Sequence, residues 1–258
     1  MSGEFGAQYD SIVRWDKRLT REAPFFKQLF RDHEVTSLAD VGCGTAKHAI
    51  LFAGWGIEVW ALDPSEEMLI AARENVHEAG LNVHLALAGF GDVAGTVGQV
   101  DAVISLGNAF PHVSDVAGLR QALCDFAEAI RPGGPLVIHM LNHDRIEQQQ
   151  VRLLPTVMRS GDDGETVVIK VIDHAEDHYV FEFVRLMRPA RPKDVVLERP
   201  SDWIIEAHRS RHAKILGETM RAELETAGFG DIQALGDHSG RALDVDSDES
   251  AIWVATRR

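Results

Sequence analysis

Two cysteines in 258 residues, Cys43 and Cys124, are too few for a disulfide framework or a cysteine metal cluster. No run of about 18 apolar residues occurs, which argues against a membrane-spanning helix. The N-terminus, Met1-Ser-Gly-Glu-Phe-Gly6, lacks the cationic-then-apolar pattern of an export signal, so the expected compartment is the cytoplasm. Positive charge is also short: 26 Lys and Arg against 40 Asp and Glu leave a net charge of −14. Nucleic acids are bound mainly through clustered cations that release counterions, so a nucleic-acid partner is not expected. The densest basic stretch, with Arg185, Arg188, Arg191 and Lys193 among prolines, reads as a solvated loop. Repeats and low-complexity tracts are absent.

What remains is a chain that is 45% hydrophobic and 26% charged, enough for one large α/β domain with an appended subdomain. Strand and helix patterns alternate from Ser37 to about Asn142, as in a mostly parallel sheet covered on both faces. Strands are expected at 37–41, 58–62, 83–88, 100–105 and 134–141, with helices at 47–54, 65–79 and 118–130. Ser65 is an N-cap candidate, followed by Glu66 and Glu67 in the first turn, and Gly80 stops that helix. Residues 1–36 read as helix, with Ile12, Val13, Phe25, Phe26, Leu29 and Phe30 on one face. From Thr166 to His208 the pattern becomes that of antiparallel strands, punctuated by Gly161-Asp-Asp-Gly164 and Ala175-Glu-Asp177. A helix at 217–228 and strands at 231–235 and 251–256 close the chain. The division expected is a helical lid at 1–36, a core at 37–160 and 215–258, and an antiparallel insertion at 161–214 that covers the substrate.

The most informative segment is Ser37-Leu-Ala-Asp-Val-Gly-Cys-Gly-Thr-Ala-Lys-His48, followed by a second strand ending in Asp63. Gly42 and Gly44 suit a turn whose backbone approaches a ligand without room for a Cβ. Asp63 lies about 20 residues on, where a carboxylate accepts ribose hydroxyls. This is a nucleoside-cofactor pattern, and dinucleotide sites share its mechanics. The pyrophosphate version wants a third small residue two positions further on, where this chain has Lys47 and His48 after Ala46.

Asp40-Val-Gly-Cys-Gly-Thr-Ala46 resembles the first motif of class I S-adenosylmethionine-dependent methyltransferases, a Rossmann-like fold with a seven-stranded sheet. Residues 9–26, with Trp15-Asp16, Arg18, Glu22 and Phe25-Phe26, resemble the N-terminal lid of bacterial glycine and sarcosine N-methyltransferases. Asp101-Ala-Val-Ile-Ser-Leu-Gly-Asn-Ala-Phe-Pro-His112 resembles the segment after that family's fourth strand. Ile130-Arg-Pro-Gly-Gly-Pro-Leu-Val-Ile138 and Asn142-His-Asp144 resemble the turn and strand that follow.

The resemblance implies S-adenosylmethionine as methyl donor and S-adenosylhomocysteine as product. It places Arg18 on the cofactor carboxylate, Asp40 near its ammonium, and Gly42, Cys43 and Gly44 around its methionine moiety. Asp63 would bind the ribose, with Pro64 and Met68 beside it; Gly89 and Phe90 would flank the adenine; Leu106 and Gly107 would lie at the methionine end. Asn108 would border the acceptor. Apart from the resemblance, Tyr9 reads as a cap on the methyl donor from the lid or as a helix-packing tyrosine, and His112 or His139, near the ends of strands four and five, as base or polar anchor or as structural residues. His143, His208 and His212 read as surface or subdomain residues. Trp15 reads as core, and Trp55, Trp60, Trp203 and Trp253 as packing.

No compact ligand spacing points to a metal. Two departures stand out. Gly89 occupies the position of an adenine-recognising Asp or Asn, and Leu141 that of an arginine that clamps a substrate carboxylate. The expected function is methyl transfer to a small-molecule acceptor, most simply an amine nitrogen. O-, S- or C-methylation, a non-catalytic cofactor-binding role and a nicotinamide-dependent enzyme stay open, as does a homo-oligomer.

Overall fold

The computed structural model describes residues 10, 13–161, 164–189 and 203–258. Tyr9, Ile12, Asp162, Asp163, Arg191 and Lys193, to which the sequence reading assigned roles, lie outside the described residues. Among the described residues no helix is long and apolar enough to cross a membrane.

The chain opens with α1 (Trp15–Asp32) and then alternates β1 (Ser37–Val41), α2 (Lys47–Ala53), β2 (Glu58–Asp63), α3 (Glu66–Ala79), β3 (His84–Leu87), α4 (Val93–Val97), β4 (Ala102–Ser105), α5 (Val116–Ala129) and β5 (Pro135–Leu141). The short α6 (His143–Gln148) leads into four strands, β6 (Val157–Gly161), β7 (Gly164–His174), β8 (His178–Pro189) and β9 (Ile204–Ala213). Then come α7 (Gly217–Thr226), β10 (Phe229–Leu235) and β11 (Ser250–Arg257).

Local chemistry explains several of these bounds. Ser65 accepts a hydrogen bond from the Met68 N–H and so caps α3, and Gly80 ends that helix in the left-handed region at φ +64°. Asp115 caps α5 through the Gly118 N–H, and Asn142 caps α6 through the Arg145 N–H. In α1, Phe26 and Phe30 recur on the buried face.

Seven strands form one sheet in the order β10-β11-β5-β4-β1-β2-β3. β1 to β5 run parallel, β11 is antiparallel to β5, and β10 is antiparallel to β11. One face buries Phe26, Phe30, Phe52, Leu38 and Ile104 beneath α1 and α2. The other buries Val41, Val103, Leu119, Leu123, Phe126 and Leu224 beneath α5 and α7. The doubly wound α/β architecture expected from the alternating pattern is therefore present.

β6 to β9 form a second, wholly antiparallel sheet. It has a small core of its own, in which Ile146, Leu154, Ile172, Tyr179 and Phe181 are buried. The strand β6 and the short helices α4 and α6 were not expected. Val-Met-Arg-Ser-Gly has no alternating pattern, and its extended form comes from pairing with β7.

In the large sheet the strand order reverses between β1 and β4. In open α/β sheets, ligands bind beyond the carboxyl ends of the strands at that reversal. Val41 and Ser105 end the two strands there, so the connections that follow them are placed to form a site. At the opposite edge, Asp101 accepts from the Thr36 and Ser37 N–H groups and from Arg131 Nε, tying β1, β4 and the approach to β5 together.

Gly134 lets this approach close up. A Cβ there would stand 2.1 Å from the Asp101 carbonyl oxygen and 2.6 Å from Ile130 Cγ2. Gly134→Ala is therefore expected to cost at least the roughly 1–3 kcal/mol typical of overpacking, read as a lowered midpoint in urea denaturation. An unchanged midpoint would mean that this crossing relaxes freely.

Candidate active site at the carboxyl edge of the sheet

The connection leaving β1 is a tight turn fastened to β2. The N–H groups of Gly42 and Cys43 donate to the Leu62 carbonyl at 2.8 and 3.0 Å, and the Gly44 N–H donates to Asp63 Oδ2 at 2.8 Å. Gly42 and Gly44 both have positive φ, +76° and +56°. Their surroundings differ: a Cβ on Gly42 would meet Ala109 Cβ at 2.6 Å, whereas one on Gly44 would enter open space. Ala46 follows at φ 63°, so α2 starts without a side-chain cap.

Asp63 is 7% exposed, and its other oxygen accepts from the Ser65 N–H at 2.9 Å. Burial raises its pKa against the effect of those two N–H donors. Pro64 lies beside Gly89, 3.8 Å from where a Cβ there would be. Phe90 packs edge-on against Phe110 at 5.3 Å and reaches the turn, with its Cζ 3.7 Å from the position of a Cβ on Gly42. Met68 contributes its N–H to the α3 cap.

At the end of β1, Asp40 is 2% exposed, and its Oδ2 is buried with no hydrogen-bond partner. Burial, followed by the nearby Asp63 charge, pushes its pKa up to about 7. From α1, Arg18 donates through Nε to Glu22 Oε1 at 2.9 Å, while its Nη2 is buried without a partner. Glu22 Oε2 meets His48 Nε2 at 2.7 Å. Burial alone would raise the Glu22 pKa, but the His48 hydrogen bond and the Arg18 charge outweigh it and hold the carboxyl below its ordinary range.

A lone guanidinium nitrogen and a lone carboxylate oxygen, both buried, are complementary to the carboxylate and ammonium of an amino-acid moiety. Together with the open side of Gly44, they fit the methionine end of S-adenosylmethionine.

Beyond β4, Leu106 is buried and two successive residues, Gly107 and Asn108, take positive φ of +70° and +68°. Asn108 is locked on several sides. Its N–H donates to the His139 carbonyl at 3.0 Å, its Oδ1 accepts from the Leu141 N–H at 2.9 Å, and its Nδ2 lies 3.4 Å from His212 Nδ1. Because the Leu141 N–H can only donate, the oxygen of the Asn108 amide is fixed, and Nδ2 is the donor toward His212. His212 Nδ1 then accepts, and its Nε2 carries the hydrogen toward Ser210 Oγ at 3.0 Å.

The His212 ring stacks on Phe181 at 4.2 Å and meets the His112 ring at 4.2 Å. Burial, then the neighbouring His112, lowers the His212 pKa to about 3. His112 is close enough to Asp63 for the carboxylate to oppose the lowering of its own pKa by burial.

The structure thus gathers Arg18, Asp40, Gly42, Cys43, Gly44, Asp63, Leu106, Gly107, Asn108 and His112 around one sheet edge. It separates the two histidines that sequence reading paired. His112 joins His212, whereas the His139 side chain lies near Arg18, Glu22 and His238 beneath α1. His143 and His212 are 2% and 1% exposed, so neither is a surface residue. His143 Nδ1 accepts from the Ile215 N–H and serves packing, and His208 is exposed. Sequence reasoning missed the site contributions of His48, His212 and His238. Glu22 had two signals, its place in the segment that resembles the N-terminal lid and its position four residues after Arg18 on a helix.

The Methyltransferase domain family matches residues 38–134. A glycine/sarcosine N-methyltransferase of Halorhodospira halochloris is 31% identical over 180 residues, 69% of this chain and 67% of that protein. The chain belongs to the class I S-adenosylmethionine-dependent methyltransferase family. A second glycine/sarcosine N-methyltransferase, of Aphanothece halophytica, is 25% identical over 234 residues, 90% of this chain and 81% of its own. Among solved structures, an amino pentose methyltransferase of Micromonospora echinaspora with S-adenosylmethionine bound superimposes with a TM-score of 0.75. It is 20% identical, with 98% of this chain and 96% of the other covered.

The two turn glycines of this methyltransferase are separable by experiment. Both substitutions place an L-residue at positive φ, costing about 1–2 kcal/mol. Gly42→Ala adds the Ala109 clash and is expected to lower folding stability further, whereas Gly44→Ala is expected to stay near that backbone cost in urea melts. By calorimetry Gly44→Ala should bind S-adenosylhomocysteine at least tenfold more weakly, since its methyl enters the space the cofactor needs. Full affinity in Gly44→Ala would place the cofactor elsewhere.

Proposed function

We propose that this enzyme methylates the nitrogen of a small amine that carries no carboxylate at the recognition end. The observation that carries this reading is Leu141. Its N–H is held by Asn108 at the acceptor side, and its side chain packs against the second sheet's core of Ile146, Leu154, Ile172, Tyr179 and Phe181. The resemblance to glycine methyltransferases puts a carboxylate-clamping guanidinium at this position, and an aliphatic side chain cannot make that bidentate contact.

In this reading Arg18 Nη2 takes the cofactor carboxylate, Asp40 its ammonium and Asp63 its ribose. Cys43 and Pro64 line the turn, Met68 and Gly89 border the adenosine, and Phe90 flanks the adenine. The bound cofactor supplies a sulfonium methyl for in-line displacement. Asn108, fixed by β5 and by His212 of β9, orients the acceptor, and His112 offers a second neutral hydrogen-bonding group beside it. An amine arriving neutral needs little acid–base help, so positioning supplies most of the acceleration, of which oriented reactions draw about 7–11 kcal/mol. Residues 1–36 act as the lid, 37–160 and 215–258 as the catalytic core, and 161–214 as the acceptor cover. The net charge of −14 supports a small-molecule acceptor over a nucleic acid, and two free cysteines accord with a cytoplasmic setting.

The test is production of S-adenosylhomocysteine from a panel of amines with and without carboxylates. Amines lacking a carboxylate are expected to exceed glycine by about 10- to 100-fold in kcat/KM, the range of one charged hydrogen-bonding contact. Leu141→Arg should narrow that gap, and glycine as the best acceptor of the unaltered enzyme would refute the reading. Should the acceptor be a hydroxyl, a base becomes necessary, and His112→Ala would lower turnover by about 10²- to 10⁴-fold; amine methylation is expected to change only a few-fold.

Asp40 generates a pH prediction. Its folded pKa of about 7 lies above the ordinary carboxyl value, so below pH 7 it is largely protonated in the free enzyme. Pairing with an ammonium requires the ionised form, so binding releases a proton. Affinity for S-adenosylhomocysteine should rise about tenfold per unit below pH 7 and level off above it. In Asp40→Asn the slope should vanish; a slope that survives would assign it to another group.

A further inference from the structure

Beneath α1, on the sheet face that carries Val137, three residues from distant parts of the chain converge. Glu22 comes from α1, His139 from β5 and His238 from the connection between β10 and β11. One ligand atom from each lies within 4.8 Å of the others. The Nδ1 of His139 and the Nε2 of His238 are buried without a hydrogen-bond partner. Glu22 makes no hydrogen bond to either ring; its oxygens accept from Arg18 Nε at 2.9 Å and His48 Nε2 at 2.7 Å. Buried ring nitrogens left unpaired beside a carboxylate call for a missing partner, and in the tautomers that carry the hydrogen on the other nitrogen a cation would take their lone pairs.

We propose that Glu22, His139 and His238 form a binding site for a divalent cation of the zinc, cobalt or nickel class. Two imidazoles and one carboxylate are the donor set such borderline ions take, with a further position left for solvent. Burial lowers the pKa of both histidines, His139 to about 3, so the rings are neutral and their lone pairs are available near neutral pH.

The surroundings supply the outer support that metal ligands need. His48 and Arg18 hold the carboxylate oxygens, each of which keeps a lone pair, and Phe25 and Phe26 pack against the His238 ring. The positive charge of Arg18 opposes a cation and so weakens the site relative to the same donors without it. An ion bound there fastens the lid helix α1 to β5 and to the β10–β11 connection, the three elements that close this side of the site. None of these residues is needed for the amine assignment, so the site stands or falls independently of it.

The protein is prepared without a polyhistidine tag, freed of metal by chelation, and titrated with Co2+ in the absence of cofactor. One equivalent is expected to saturate, with visible d–d absorption that Zn2+ abolishes by displacement. His238→Ala should weaken Co2+ binding at least tenfold, while His84→Ala, on the exposed edge strand β3, should not alter it. Zn2+ at about 100 times its Kd should raise the melting temperature of the unaltered protein by roughly 5–10 °C and leave that of His238→Ala unmoved. Glu22→Gln, which keeps the side-chain shape, is the second variant and should also lose the absorption band. Absence of saturable Co2+ binding, or equal binding by unaltered protein and His238→Ala, overturns the proposal.

Discussion

The hydrogen bond from the Gly44 N–H to Asp63 Oδ2 holds the rest of the site in place. It joins the first turn of the sheet to the end of the neighbouring strand, so the two halves of a nucleoside site are set by one contact. Gly42 and Cys43 reinforce it by donating to the Leu62 carbonyl, and both turn glycines have φ values costly to any other residue. Once this turn is fixed, Asp40 below it, Ala109 against it and Phe90 beside it have little freedom. The price is desolvation: burial raises the carboxyl pKa of both Asp40 and Asp63, and the Asp63 charge raises that of Asp40 further.

Relief of that strain comes from α1. Arg18 is the cation that lowers the Asp40 pKa, and Arg18 is itself positioned by Glu22, which His48 holds from α2. The chain of contacts from α1 to α2 to β1 therefore couples the helix over the site to the charge state within it. A ligand with one ammonium and one carboxylate satisfies Asp40 and Arg18 at once, which neither charge alone can do for the other while Arg18 Nη2 lacks a partner.

Much of this was legible in the sequence because it is local. β1 is apolar and runs straight into its glycines, Ser65 sits where an N-cap must, and Gly80 ends α3 with the left-handed conformation that glycine favours. The bounds of β1 and of the α2 start were read directly, and the strands of the large sheet to within two residues. What escaped depends on tertiary pairing. β6 has no pattern of its own, and α4 and α6 are too short for a periodicity to show. His212 reads as one polar residue in a strand of many. Only the register of β9 on β8, with His212 opposite Tyr179, and the approach of that sheet to the Phe110–His112 turn bring it to Asn108. His139 was read from the sequence as a base or polar anchor, but its meeting with His238 beneath α1 escaped for the same reason, since about a hundred residues separate the two.

The second sheet is more than a cover. Leu141 links the last parallel strand to the sheet's own small core, while His212 links that core, through Phe181, to the Asn108 amide. Asn108 Oδ1 is fixed by the catalytic sheet, and its Nδ2 by the antiparallel one. A change in the packing of either sheet thus rotates or releases the same amide. In the amine transfer proposed above, which depends on alignment more than on acid–base chemistry, that dependence would give the antiparallel sheet a direct hold on which acceptor is presented to the methyl group. Acceptor choice can then change by substitution within β7 to β9 while the glycine turn and Asp63 keep the donor site intact.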